Sequence, residues 1–349
     1  MKLSFFEKFL TGFVLLAMII GVLIGTTLPA LATFLRQFEW ANVNLPIAVL
    51  IWVMIFPMML KIDFASIKQV SKNPKGLVLT WVVNWLIKPF TMFFIAIFFF
   101  SVVFGHWIPS DLARDYLAGA VLLGAAPCTA MVFVWSHLTK GNPAYTLVQV
   151  ATNDLIILVL FVPIVGFLLQ MGGVSVPWDT LALSVLLFVV VPFALATWTR
   201  RWVMKSRGID FLNQKVIPKF GKVTMVGLLV TLILIFSLQA DFILSNPFHI
   251  VLISIPLIIQ TLFIFWITYQ AAKKMKLSHD IAAPAGMIGA SNFFELAVAV
   301  AISLFPLHPG VALVTIVGVL TEVPIMLLLV RYANKTKARF EQNQKEALG

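Results

Sequence analysis

The chain has 349 residues, 61% of them hydrophobic and only 11% charged, with a mean hydropathy of +1.01. Soluble domains carry about a quarter charged residues, so a water-soluble protein is excluded. The single cysteine excludes an internal disulfide and a multi-cysteine metal cage, and the net charge of +11 has to be explained by where the basic residues lie.

Apolar runs of about twenty residues recur along the chain, each long enough to cross a hydrocarbon core about 30 Å thick. The start, with Lys2 and Lys8 ahead of an apolar run, resembles a secretory signal, and Ala30-Leu31-Ala32 resembles a cleavage site. The run 9–28 is too long for a signal peptide's apolar region, and more spans follow, so it reads as an uncleaved first transmembrane helix. The other spans fall near 44–61, 77–104, 115–136, 144–170, 179–200, 221–240, 248–272, 281–305 and 309–332, which makes about ten. Two connecting segments, Ala32–Asn44 and Arg200–Lys222, are long enough for interfacial amphipathic helices.

The basic residues test that count. With the N-terminus in the cytoplasm, all but Arg36, Arg114 and Lys88 of the 25 basic residues fall on cytoplasmic segments. Such a bias follows the positive-inside rule and puts both termini in the cytoplasm. The basic excess then faces anionic lipid headgroups, and nucleic acid is not an expected partner. Lys88 lies inside the third span, where a long side chain is expected to snorkel toward the cytoplasm.

Spans one to five end at Met171-Gly172-Gly173, and five is odd, so the second half enters the membrane from the opposite side. The expected organisation is an inverted repeat, 1–172 and 178–349, the latter with a short basic tail. The fourth and ninth spans are each rich in small residues, and each precedes a Pro-bearing turn (Lys140-Gly141-Asn142-Pro143; Pro306-Leu307-His308-Pro309). The next span then carries an acid, Asp154 or Glu322.

The fourth span reads Gly124-Ala125-Ala126-Pro127-Cys128-Thr129. Proline removes a backbone donor and clashes with the preceding turn, so the helix should break here. Cys128 would then sit in the first turn of a second half-helix, where backbone N–H groups favour a thiolate; the plain alternative is a small apolar residue packed between helices. In the ninth span, Asn292 can cap a half-helix with Glu295 at its third position. An ionisable group near the bilayer centre costs about 2.5–3.5 kcal/mol against about 1 kcal/mol for a cap, so Glu295 points to function. Asn153, Asp154 and Glu322 are further polar candidates, for an ion pathway or for hydrogen bonds to an unwound backbone. The five histidines fall in loops or at span ends without ligand spacing, and the methionines read as gap fillers.

With these residues in view, Ala126-Pro127-Cys128-Thr129-Ala130-Met131-Val132-Phe133-Val134-Trp135 resembles the fourth-span signature of the arsenite efflux permeases, and Ser291-Asn292-Phe293-Phe294-Glu295-Leu296-Ala297 resembles their ninth-span motif. Asn84-Trp85-Leu86-Ile87-Lys88-Pro89-Phe90, Asn153-Asp154-Leu155-Ile156 and Thr321-Glu322-Val323-Pro324 resemble the same family, part of the bile-acid, arsenite and riboflavin transporter superfamily. One departure is Phe56-Pro57-Met58, without the double proline of many members.

The resemblance implies an all-α polytopic fold of ten helices in a five-plus-five inverted repeat, with broken fourth and ninth helices crossing in a core that moves against a flatter panel. It implies a transporter, not an enzyme, in a bacterial plasma membrane. The cargo would be trivalent arsenic (arsenite, with antimonite as a second candidate), extruded against inward proton movement. No cofactor is implied beyond the proton as coupling ion. The family's essential cysteine and glutamate fall on Cys128 and Glu295. Cys128 would bind As(III) as a soft ligand, with Asn292 and Glu295 beside it, while Glu322, Asp154 and Asn153 tune the proton step or support the crossing. The nearest rival is a sodium-coupled organic-anion symporter of the same fold. A membrane thiol enzyme is a more distant one, because no span places a histidine beside Cys128.

Overall fold

The computed structural model describes residues 9–28, 30, 34, 37–40, 43–60, 74–129 and 131–348. The N-terminal Lys2 and Lys8, the basic segment holding Lys61, Lys68 and Lys72, Arg36, Ala130 and part of the Ala32–Asn44 connection lie outside the described residues. The rest is helical but for one two-residue hairpin, Glu39–Trp40 (β1) with Val43–Asn44 (β2).

Helices occupy every segment read as a span. They are α1 Leu10–Thr27, α2 Leu45–Leu60, α3 Lys75–Val103, α4 Ser110–Gly124, α5 Val132–Leu138, α6 Pro143–Met171 and α7 Trp178–Phe211. After a π turn at Leu212–Val216 come α8 Ile217–Leu238, α9 Ala240–Ser245, α10 Pro247–Lys274, α11 His279–Ala290, α12 Phe294–Leu304 and α13 Pro309–Leu348. Five of them, α3, α6, α7, α10 and α13, contain stretches long and apolar enough to cross a membrane whole. The protein is an integral membrane protein.

Proline placement accounts for one π turn in α3 and one in α7. In α3, Pro89 cannot donate to the preceding turn, and a π turn over Val83–Ile87 absorbs the mismatch. In α7, Pro192 follows the π turn Leu186–Val190. Within the basic Arg200–Lys222 connection the helical backbone is interrupted at Gly208, whose φ of 81° favours glycine, and it resumes after that residue through the π turn into α8.

The helices pack as two groups. One is α1, α2, α7 and α8, in which α8 lies on α1 and α2 while α7 lies on α2. Gly21 lets α1 sit directly on α8: a Cβ there would stand 2.6 Å from the Ile233 carbonyl, and Gly25 repeats the close approach one turn on. The other group is α3 to α6 with α10 to α13, in which α10 packs on α3, α11 and α13, and α4 packs on α3 and α13. The groups meet where α12 touches α2 and the start of α7, and where α13 touches α1. This is the core and panel that the sequence leads one to expect.

Candidate functional site

Two helices of the core are interrupted. The first break separates α4 from α5 and the second separates α11 from α12. Pro127 stands opposite Asn292 as an antiparallel pair. Phe293 N–H donates to the Ala126 carbonyl at 2.8 Å, and Cys128 N–H to the Ser291 carbonyl at 3.4 Å. Away from water, an unwound backbone needs partners for its N–H and C=O groups. Here each break satisfies the other. The sequence provides for this with Pro127, which cannot continue α4, and with the small pair Ala290-Ser291, which lets the second backbone come close.

Side chains converge on this pairing. From α13, Glu322 accepts hydrogen bonds from the Ser291 hydroxyl, from Asn292 N–H at 3.1 Å and from Asn292 Nδ2 at 3.3 Å. From α3, the Lys88 ammonium donates to the Ser291 carbonyl at 2.5 Å. Gln260 of α10 fixes that part of α3, donating to the Lys88 carbonyl at 3.0 Å and the Thr91 hydroxyl at 2.9 Å. The Cys128 thiol is buried at this crossing, in the same cluster of ionisable groups as Glu295 and Glu322. Its other neighbours form a small apolar cluster that includes Leu77, Val132, Tyr145 and Ile288. Glu295, in the first turn of α12, is buried, and its Oε2 has no hydrogen bond.

Four of the residues singled out from sequence are thus together: Cys128, Asn292, Glu295 and Glu322. Asn153 serves a neighbouring interface, where its Oδ1 accepts from Trp85 Nε1 at 3.3 Å and Asn84 Nδ2 at 3.5 Å. Asp154 is buried on α6 with both carboxyl oxygens unbonded, and no hydrogen bond joins it to the crossing.

Three local expectations are corrected. Cys128 is not in the first turn of a half-helix; α5 begins at Val132, and Cys128 lies in the extended segment before it. Asn292 does not cap α12, whose N-cap is Phe293 with no side-chain bond; its Nδ2 and N–H bond to Glu322, and the Oδ1 that would have to accept at a cap is left without a hydrogen bond. Lys88 does not snorkel; it is 1% exposed and turned into the crossing. Lys88, Ser291 and Gln260 are the functional neighbours that sequence reasoning missed. The signal for Lys88 was present, since Thr80, Asn84 and Lys88 recur every four residues along one buried stripe of α3.

Elsewhere, a cavity of ≈ 710 Å³ lies between the start of α4 and the turn after α12, lined by residues including Asp111, Arg114, Asp115 and His308, with His308 Nδ1 2.9 Å from the Asp115 carboxyl. It touches none of the crossing residues. Among the described residues no group of three or more His, Cys, Asp or Glu could hold a metal ion.

Comparison with known proteins places this geometry in context. Residues 48–246 match the model of the "Sodium Bile acid symporter family". The chain is 58% identical to "Arsenical-resistance protein Acr3" of Alkaliphilus metalliredigens over 99% of its own length and 96% of the relative's. It is 45% identical to an uncharacterised transporter of Synechocystis over 99% of its length and 92% of the relative's. A second "Arsenical-resistance protein Acr3", from Corynebacterium glutamicum, is 30% identical over 94% of this chain and 89% of the relative.

Proposed function

Because this chain belongs to the arsenite efflux permeases within the sodium bile acid symporter family, we propose that it extrudes trivalent arsenic from the cytoplasm as an arsenite/proton antiporter. Arsenite is the principal cargo, with antimonite as a second candidate. The observation that carries the reading is a solitary thiol, Cys128, buried in an unwound helix crossing beside the carboxyl groups of Glu295 and Glu322.

At neutral pH arsenite is an uncharged trihydroxide, so field strength alone holds it poorly. A thiol reacts with it reversibly: the sulfur–arsenic bond forms, one arsenic hydroxyl leaves, and that hydroxyl departs as water with the thiol proton. One such bond can be undone by water on the far side, whereas three would trap the cargo. Glu295 and Asn292 hydrogen-bond the remaining arsenic hydroxyls. Glu295 takes up a proton from outside as the cargo leaves and delivers it inward on return. Glu322, Asn153 and Asp154 support that step, Glu322 by holding the second break in place.

The halves 1–172 and 178–349 act as inverted repeats, with their two breaks paired at the centre, and the core rocks against the panel to alternate access. Both termini face the cytoplasm of a bacterial plasma membrane, which the distribution of Lys and Arg supports.

Arsenite uptake into everted membrane vesicles tests the reading directly. Uptake is expected with an imposed proton gradient, to collapse when the gradient is dissipated, and to be absent with Cys128→Ser at equal protein level. Uptake that follows a sodium gradient and ignores pH would instead support the organic-anion symporter.

A further inference from the structure

Lys88 is absent from the transport scheme above, yet it holds a central position. Its side chain is buried in the middle of the core, and its ammonium donates to the Ser291 carbonyl in the second break. The same Ser291 donates its hydroxyl to Glu322 and accepts from Cys128 N–H. Lys88 is therefore bonded to a residue that, like its neighbour Asn292, joins both breaks and the α13 carboxyl. The ionisable groups facing it are Glu322 from α13 and Cys128 from the first break. Glu295, on α12, faces Cys128 from the same crossing.

Charge balance in a low-dielectric interior explains why a cation is there. An isolated buried carboxylate is costly unless it is paired. The crossing presents the carboxyls of Glu295 and Glu322, the carbonyl of Ser291, and the amide oxygen of Asn292, which carries no hydrogen bond. Carboxyl, carbonyl and amide oxygens gathered away from water form the donor set of a hard monovalent cation. In this chain the centre already has a positive group, supplied by α3 and held by Gln260 bonding to the Lys88 carbonyl.

We propose that the Lys88 ammonium is the resident cation of the helix crossing, taking the role that a free alkali cation would otherwise have to fill, and that it thereby fixes which coupling ions the transporter can use. The proposal rests on the transport reading for its consequence, but its structural half can be read without transport. A tethered ammonium cannot leave with the cargo, so a chain bearing Lys88 has no alkali-cation step in its cycle. Removing the charge leaves an oxygen-rich centre that recruits sodium or potassium from solution.

The test uses the full-length purified protein and everted vesicles in sodium, potassium or choline chloride. For the wild type, the thermal unfolding midpoint and arsenite uptake are expected to be the same in all three salts. For Lys88→Gln, uptake in choline is expected to fall about tenfold or more, with a large part restored by sodium or potassium, and the midpoint should rise in those salts over choline. Lys88→Arg keeps the charge and should stay indifferent to the salt. A Lys88→Gln protein whose midpoint and uptake ignore the salt, whether active or inactive, would overturn the proposal. Should that variant fail to accumulate, Lys88→Ala with the same salts and with ethylammonium replaces it. Should neither accumulate, the wild type decides: a midpoint raised by sodium or potassium overturns the idea, and a flat one upholds it. Absence of arsenite uptake by the wild type under a proton gradient would count against the transport reading, while the salt dependence of the midpoints still judges Lys88.

Discussion

At the scale of single residues, the site depends on how few polar groups are shared among many partners. Ser291 is the clearest case, since its carbonyl accepts from Lys88 and Cys128 N–H while its hydroxyl serves Glu322. Ser291→Ala removes only the hydroxyl and leaves one Glu322 oxygen short of a buried donor. It should lower stability by about 1–3 kcal/mol, seen as a drop in the thermal unfolding midpoint in detergent. Glu295→Gln keeps the shape and hydrogen-bonding capacity of the side chain but cannot carry a proton. Arsenite transport that rises with acidity on the release side in the wild type should become nearly flat with pH in this variant, measured as uptake into vesicles of set internal pH. Cys128 and Glu295 were legible in the sequence because a thiol after a proline and a carboxyl in an apolar helix stand out against their surroundings. The orientation of Lys88 was not. Snorkelling is an argument about side-chain length, whereas the actual direction is set by an acceptor 203 residues away. Asn292 was misread for a related reason, because α12 starts one residue later, at the Phe293 cap, while the Asn292 donors serve a carboxylate from another helix.

At the scale of elements, the interruptions were readable and their registers were not. Pro127 announced a break, but the start of α5 at Val132 depends on how far the segment must stay extended to pair with Ser291 and Asn292. The π turns of α3 and α7 likewise follow Pro89 and Pro192, whereas the 40-residue length of α13 exceeds what hydropathy alone indicated. In the panel, the approach of α1 to α8 depends on Gly21 and Gly25. Gly21→Leu should push the helices apart and cost about 1–3 kcal/mol as an overpacking change. Reduced yield of monodisperse protein in gel filtration would be the readout, with Gly12→Leu, at an open position on the same helix, as the silent control.

For the whole molecule, the division into a panel of α1, α2, α7 and α8 and a core around the crossing is what the fold contributes to function. The Cys128 thiol, both crossing carboxyls and Lys88 belong to one body, so in the proposed rocking their geometry can be kept while the other body moves. The orientation proposed from the basic ends of the helices is open to a direct test. A tag fused after residue 349 is expected to react with an impermeant probe in everted vesicles and to be protected in intact cells. Protection in the vesicles instead would reverse the orientation on which the direction of transport is argued.

The mutual pairing of the two breaks also bears on the order in which the protein is made. The carbonyl of Ala126 and the N–H of Cys128 find their partners on Phe293 and Ser291, which leave the ribosome nearly half a chain later. Until then the first five spans sit in the bilayer with the centre of their broken helix unpaired and the only thiol uncovered. Cys128 is therefore expected to become fully shielded only when α11 and α12 are in place. A nascent chain stalled before residue 279 should therefore expose Cys128 to a membrane-permeant maleimide that the finished protein resists.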